Sequence, residues 1–428
     1  MRLLLLFSCL LLVACDSSST SSTSRQETPL NSLTEIKAKL TFTCSHEQIP
    51  EAPVEADVVF QYARWLQKNN VLKQDKTIDV EMERLYRIAA ENGHFKANIN
   101  LQNGAIRGHF SLRGQEHLRL SQQLIDKNVA TGYYLVGIFL KQGSAGLQKD
   151  PEMALRYFRK AADEGNAQAQ FDIAEKLAPI SIAPAVALSM RQCAAAQGHG
   201  KAARALGVYL STKERYQEAL KAFQLGVAAG DSGAASFLEN GFRGPAPDDQ
   251  LYYLGHDADL ERAERYEKIG DVLYGYSYAN PSVPEINEIV PLPPAKLPAW
   301  DGKLQWLEER LANIPPEKPS PALILQLAKA MVLDPATGKP MPGSPALRDA
   351  SFHGPTCTAG SACPESGYWT VDSFNYERYI LDVHPDTRYF KQGEILPPVA
   401  CSYYRTRMWP LSPQKTPTLI YPGWKLLG

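Results

Sequence analysis

The sequence predicts a mainly α protein: an α-solenoid of stacked helix-turn-helix repeats, followed by a proline-rich strap and a small mixed or β-rich C-terminal module. Three observations carry this. A skeleton of small and apolar residues recurs between about residues 80 and 245, clearest from Ala154 to Leu177 and repeated from Ala187 to Leu210 and from Ala219 to Phe242. The turn glycines Gly165, Gly198 and Gly230 lie 33 and 32 residues apart, and Gly93 opens the series two periods earlier. Beyond Gly241 the helical rhythm gives way to proline, glycine and aromatic residues.

In chain order, Met1-Arg2 and an apolar run from Leu3 to Ala14 read as a bacterial secretory signal, too short to span a bilayer as a finished helix. Leu12-Val13-Ala14-Cys15 is similar to a lipoprotein box. That resemblance implies lipidation of Cys15, removal of residues 1–14 and a stable anchor facing the periplasm. The alternative is an ordinary cleaved signal with Cys15 left as a thiol. Asp16 resembles an inner-membrane retention signal, a rule that varies among genera, so the choice of membrane stays open. The serines and threonines that follow make 15–35 a flexible tether.

The solenoid is expected over 36–275. A capping helix with Val58, Val59, Tyr62, Ala63 and Leu66 on one face shields the apolar end of the stack. Earlier units begin at Met82 and, in a degenerate copy with Asn128 at the glycine position, near Leu120. Each unit has apolar residues at helical spacing on both sides of a short break, as with Ala154, Tyr157, Phe158 and Ala161 before Gly165 and Ala169 and Ala174 after it. One such hairpin cannot bury its apolar face alone, so five units must stack. The pattern A-x-x-x-[YF]-x-[KR]-A-A-x-x-G-[NH]-x-x-A-x resembles the Sel1-like repeat, a relative of the tetratricopeptide repeat. Ala154, Phe158, Lys160, Ala161, Ala162, Gly165, Asn166, Ala169 and Gln170 carry the match. His94 and His199 occupy the post-glycine position that Asn166 fills, a structural role.

A last helix is expected from Leu260 to Leu273, with Asp257 and Asp259 at its start. Prolines from Pro281 to Pro298 then forbid a regular helix over 276–304, while Val283, Ile286, Ile289 and Val290 between them argue for an ordered strap on the solenoid. VPLPPAKLPAWDG within it resembles a bacterial family of unknown function, DUF6396, often fused to Sel1-like repeats. The final region, 305–428, opens with two short helices, DGKLQWLEERLANI and PALILQLAKAM, and continues as strands and turns. CPESGYW (Cys363 to Trp369) and RYFKQGEILPP (Arg388 to Pro398) resemble a pattern in modules found beside type VI secretion effector genes. Gly367 and Gly393 are expected to turn hairpins, with Trp369, Phe390 and Trp409 forming a small core.

A net charge of −1 removes any argument for nucleic acid. Twenty tyrosines and six tryptophans suit protein recognition. An oxidising compartment permits disulfides, with Cys363–Cys401 preferred and Cys357–Cys363 second; the third cysteine is spare or reaches Cys44, and Cys193 reads as a buried packing residue. A zinc site from Cys357, Cys363 and Cys401 with His353 or His384 has spacing unlike a tight knuckle. The chain carries no G-x-S-x-G, H-E-x-x-H or phosphate-cradling glycine loop. No catalytic residue, cofactor or metal is therefore expected. Glu308, Glu309 and Arg310 read as ordinary surface charge, and Glu365, Asp372 and Asp382 beside His353 or His384 leave an enzyme in the last module as a minor alternative.

Anchor, repeats and terminal module together look like the immunity lipoproteins encoded beside type VI secretion phospholipase effectors. The resemblance implies a monomer that binds a cognate toxin and occludes it. Tyr133, Tyr134, Tyr157, Tyr209 and Trp300 are the candidate contacts, each with core packing as its alternative. The second reading is a periplasmic scaffold for envelope assembly or polysaccharide export.

Overall fold

The structure is a computed structural model that describes residues 41–112, 114–179, 183–348, 356–363, 367–371, 379–381, 388–390, 393–405, 414–420 and 423–426. The signal, Cys15, the tether, His353, His384, Glu365, Asp372, Asp382 and Trp409 lie outside these.

A capping helix, α1 (Val54–Asn70), precedes five helical hairpins. They pair α2 (Lys76–Glu91) with α3 (Phe95–Ile106), α4 (Gln115–Asp126) with α5 (Thr131–Gln142), and α6 (Pro151–Asp163) with α7 (Ala167–Leu177). The last two pair α8 (Pro184–Ala196) with α9 (Gly200–Ser211), and α10 (Tyr216–Ala228) with α11 (Ser232–Phe242). α12 (Leu260–Gly275) closes the array. Among the described residues no helix is long and apolar enough to cross a membrane.

The residue after each turn glycine starts the second helix by capping it. His94 Nδ1 accepts from the Ala97 amide, Asn166 from Ala169, His199 Nδ1 from Ala202 and Asp231 from Ala234. A side-chain acceptor there satisfies one of the orphan amides of a helix start. The structural role expected for both histidines is observed, and it requires Nδ1 to be the unprotonated nitrogen.

Two segments outside the repeats pack against these turns. The first is 41–53, for which the sequence assigned nothing beyond the approach to α1. The Glu47 amide donates to Gly165 O at 3.1 Å, and its carboxylate accepts from the Thr131 amide, the Thr131 hydroxyl and Asn166 Nδ2. Gln170 and Gln197 both donate to Ser45 O, and Pro53 lies 3.9 Å from where a Gly93 side chain would begin. Phe42 and Ile49 pack on the core of the middle units. Cys44 is joined to Cys193 of α8 by a disulfide, with Cα atoms 5.6 Å apart. This corrects the reading of Cys193, which is buried but is a bonded half-cystine and not a packing thiol, and it takes Cys44 out of reach of the terminal cysteines. Cys363 is buried in the terminal module, while the side chains of Cys357 and Cys401 lie outside the described residues.

The second segment is the strap, 280–304. Its Val283 amide donates to Ala228 O at 2.9 Å, and Val283, Ile286, Val290 and Leu304 are buried in the core of the last units. Arginines hold its backbone. Arg265 donates to Ile289 O and Pro298 O, both at 2.7 Å, and Arg262 to Pro291 O and Ala295 O. The buried Tyr266 hydroxyl donates to Gln224 Oε1, whose amide in turn donates to Val290 O. The strap contains one short helix, α13 (Ile286–Ile289), and is ordered on the solenoid as its apolar residues predict.

The chain then returns to its beginning. α14 (Gln305–Ala312) meets α1, where Lys68 Nζ donates to Glu309 O and Asn69 and Asn313 exchange amide hydrogen bonds at 2.8 and 3.1 Å. α15 (Pro321–Ala330), capped by Ser320, buries Ile324, Leu327 and Ala328 with α1–α3. These two helices belong to the first core of the solenoid, so the boundary expected at residue 305 falls inside continuous packing. Elements from both ends of the array thus meet, and 280–333 is the clasp between them.

After α16 (Pro345–Arg348) the described residues hold seven strands: β1 (Thr356–Thr358), β2 (Gly367–Val371), β3 (Tyr379–Leu381), β4 (Arg388–Phe390), β5 (Val399–Arg405), β6 (Gln414–Ile420) and β7 (Gly423–Leu426). They form antiparallel sheets in the orders β1-β7-β2-β4 and β3-β5-β6. Gly367 pairs with Phe390 inside a strand and does not turn a hairpin, whereas Gly393 has the positive φ of a turn. Trp369 and Phe390 form the expected small core, with Ala359, Cys363 and Leu396.

Candidate partner-binding surface

The five aromatic residues singled out from the sequence are distributed along the array, and the structure does not bring them into one surface. Tyr157 is buried, with its ring 6.3 Å from that of Tyr133, and burial holds its phenol well above the usual range. Tyr134 is half-buried and donates to Asp172; burial and that carboxylate raise its pKa too. Tyr133 and Tyr209 are half-buried with Lys160 and Lys213 over their rings, and Trp300 packs beside Arg265 and donates to Lys303 O. Tyr157 is core, correcting its candidacy, and Tyr134 and Trp300 are tied into local packing.

The concentration of exposed aromatic surface lies instead at the seam of the clasp. α12 ends at Gly275, and a single 3-10 turn (Ser277–Ala279) swings the chain toward the strap. This places Tyr274, Tyr276 and Tyr278 beside α14, where Trp306 and Arg310 share a face one turn apart. The Arg310 guanidinium lies 5.9, 5.5 and 5.7 Å from the ring centres of Tyr276, Tyr278 and Trp306. Tyr276 and Trp306 meet edge to face at 5.7 Å. Around them Tyr274, Leu311 and Ile314 are 76%, 64% and 81% exposed. Arg310 makes no ion pair with any described residue. Lys68 is held below the usual lysine range, first by burial and then by the Arg310 charge, with Glu309 opposing.

A guanidinium set among three rings is restrained: each cation–π contact is worth about 0.5–1 kcal/mol at exposed sites and limits where the side chain can go. Trp, Tyr and Arg are also the residue types that dominate binding energy at interfaces. Reading Arg310 as ordinary surface charge missed this. The available signal was YGYSY (Tyr274 to Tyr278), whose three tyrosines at alternate positions are too polar-flanked for a core strand and too dense for a random loop.

Acid–base chemistry has no comparable cluster among the described residues. His117 is buried against Phe139, and burial, with the Arg87 charge second, pushes its pKa down to about 4. His94 is also lowered by burial, Asp57 opposing. Arg119 pairs with Glu91 and Arg87 with Glu116 between units, while Glu83 holds Arg87 from within the same helix. The zinc set considered from sequence lies largely outside the described residues.

Residues 234–341 match the model of a domain of unknown function, DUF6396. The match spans the last repeat helix, the strap, the seam and the clasp. Among solved structures, the chain is similar to immunity protein PA5088 from Pseudomonas aeruginosa, at 26% identity and a TM-score of 0.47 over 59% of this chain and 94% of that one. It is similar to Pseudomonas aeruginosa PA5086 at 28% identity and 0.45, over 59% and 95%. A Sel1 repeat protein from Oxalobacter formigenes follows at 21% and 0.35, over 50% and 86%. No curated protein matches.

Proposed function

We propose that this protein is an immunity protein that binds a cognate toxin stoichiometrically and blocks it, the toxin being a type VI secretion phospholipase. Lipid on Cys15 holds the protein at the periplasmic face of a membrane, and the role is inhibition without turnover. The immunity role named for PA5088 is adopted here as part of the proposal. The observation that carries it is the Arg310 surface, a partly exposed Tyr/Trp/Arg cluster of the composition that anchors protein partners. It is supported by a solenoid whose turn ridge is already taken by the chain's own segments outside the repeats, so a partner is left the seam and its neighbouring faces.

The test is capture from the native organism with wild-type protein and with Arg310→Ala. The proposal expects recovery of one secreted phospholipase at equal stoichiometry, inactive in the complex, and its loss from the variant. Recovery of envelope-assembly proteins with no secreted hydrolase would favour the scaffold and end the immunity reading.

A further inference from the structure

We propose that Cys44, His46 and Cys193 form a thiol-gated site for a soft divalent metal ion, closed as a disulfide and opened when a dithiol reduces it. Cys44 and His46 lie two residues apart in a segment without helix or strand, and the disulfide to Cys193 holds that segment against α8. Their ligand atoms and the Cys193 sulfur all lie within 4.8 Å of one another. A tetrahedral zinc ion, with Zn–S near 2.3 Å and Zn–N near 2.0 Å, needs neighbouring ligand atoms about 3.5–4 Å apart. The sulfurs must therefore separate by less than ~2 Å from their bonded distance, in a segment that is neither helix nor strand. Cys44 and His46 are exposed, so both a reductant and a metal ion can reach them, and the His46 ring makes no hydrogen bond to a described residue. Two thiolates and one imidazole leave a fourth position facing solvent, the arrangement of an open zinc site.

The chemistry balances without further partners. A dithiol thiolate attacks the exposed Cys44 sulfur and the Cys193 sulfur leaves, taking up a proton. The second dithiol thiol then displaces Cys44 and closes to a disulfide, leaving two cysteine thiols. Metal binding releases those two protons to solvent, while neutral His46 coordinates through a ring lone pair. In both states 41–53 stays tied to α8, first by a covalent bond and then by the ion.

The measurement is zinc titration of the full chain, reduced anaerobically and freed of reductant, against a chromophoric zinc chelator, with cobalt as the spectroscopic stand-in. Cys357, Cys363 and Cys401 are kept in every variant, so any zinc they hold is common background. Reduced wild type should take one more zinc per chain than Cys193→Ser or Cys44→Ser, and the reduced cobalt form should show sulfur-to-cobalt charge transfer. His46→Ala should weaken that binding at least tenfold, and oxidised protein should lack it. Equal zinc in reduced wild type and both cysteine variants, or affinity unchanged in His46→Ala, would overturn the proposal. Cys44→Ser, at an exposed position, keeps the test open if Cys193→Ser fails to fold.

Discussion

Gly230 and Gly198 occupy the same turn of successive units with nearly the same left-handed backbone, φ +85° and +82°, yet alanine should be far worse at one of them. A Cβ at Gly198 meets nothing within 4 Å. The cost there is the left-handed conformation itself, about 1–2 kcal/mol for an L-residue, partly offset by about 0.4–1 kcal/mol of lost freedom in the unfolded chain. Gly198→Ala should therefore destabilise by about 1 kcal/mol or less. At Gly230 the same Cβ would sit 1.9 Å from Pro281 O and 2.9 Å from its carbonyl carbon. Backbone cannot swing aside, so the strap must lift by more than about 1 Å to reach ordinary van der Waals distance. That breaks the Val283 amide bond to Ala228 O and unseats Val283, which is fully buried. A hydrogen bond worth about 1 kcal/mol and a valine worth about 1.5 bring the total to roughly 3 kcal/mol. Urea midpoints of the two variants, at unchanged m, measure the difference directly. Gly165→Ala, whose Cβ would lie 2.5 Å from the Glu47 amide nitrogen, should behave like Gly230→Ala. Equal midpoints for the Gly198 and Gly230 variants would refute the idea that the strap is seated on the turn.

Cys44→Ser opens a covalent loop of 149 residues, for which chain entropy gives about 5 kcal/mol at most; a loss of roughly 2–5 kcal/mol is expected in oxidised protein, and reduced wild type should melt close to the variant. The low pKa of His117 fixes the sign of one pH dependence. Between the ordinary value, 6.5, and about 4 the unfolded chain binds a proton that the folded chain refuses, so stability falls as pH falls across that window. The full effect is about 3 kcal/mol, and the stability–pH slope between pH 6.5 and 4 should flatten in His117→Gln. Arg310→Ala and Tyr278→Ala remove groups from the seam and not from a core, so melting should move by less than ~2 °C while partner affinity drops about tenfold or more, read by calorimetry. An affinity unchanged in both would move the interface elsewhere.

What the sequence discloses and what it withholds divide by distance along the chain. The five hairpins were legible because the signals are local: apolar spacing within about ten residues, a glycine that permits a left-handed turn, and a cap beside it, as at Gly165-Asn166 or Gly198-His199. The strap was legible because Val283, Ile286 and Val290 are too apolar to leave in water between prolines. The docking of 41–53 was not. Glu47 reaches Thr131 across 84 residues and Cys44 reaches Cys193 across 149, and nothing periodic marks either end. A lone polar Glu in a short irregular stretch reads as surface until Thr131 and Asn166 are placed opposite it. The same holds for Arg310, whose meaning comes from three rings, two of them on a segment some thirty residues earlier.

The two straps are the reason the proposed partner surface is placed at the seam and not on the turn ridge. Pro53 stands at the turn of the first unit, Glu47 at those of the second and third, Ser45 at the fourth through Gln197, and Pro281 at the fifth. A tetratricopeptide-like array with bare turns would present that ridge to partners; here Gly165 O and Ala228 O already accept from the segments' amides, and Thr131 and Asn166 already donate to the Glu47 carboxylate. A peptide competing for it would have to displace buried hydrogen bonds and, at the fourth unit, a disulfide. The seam carries no such cost. Its rings are partly exposed, its guanidinium sits among three of them and lacks a carboxylate among the described residues, and α12, the strap and α14 surround it. An acidic side chain arriving there exchanges water for a charge-assisted bidentate bond without displacing anything already made. That asymmetry in what must be broken, more than aromatic content, is the argument for the seam as the proposed partner surface.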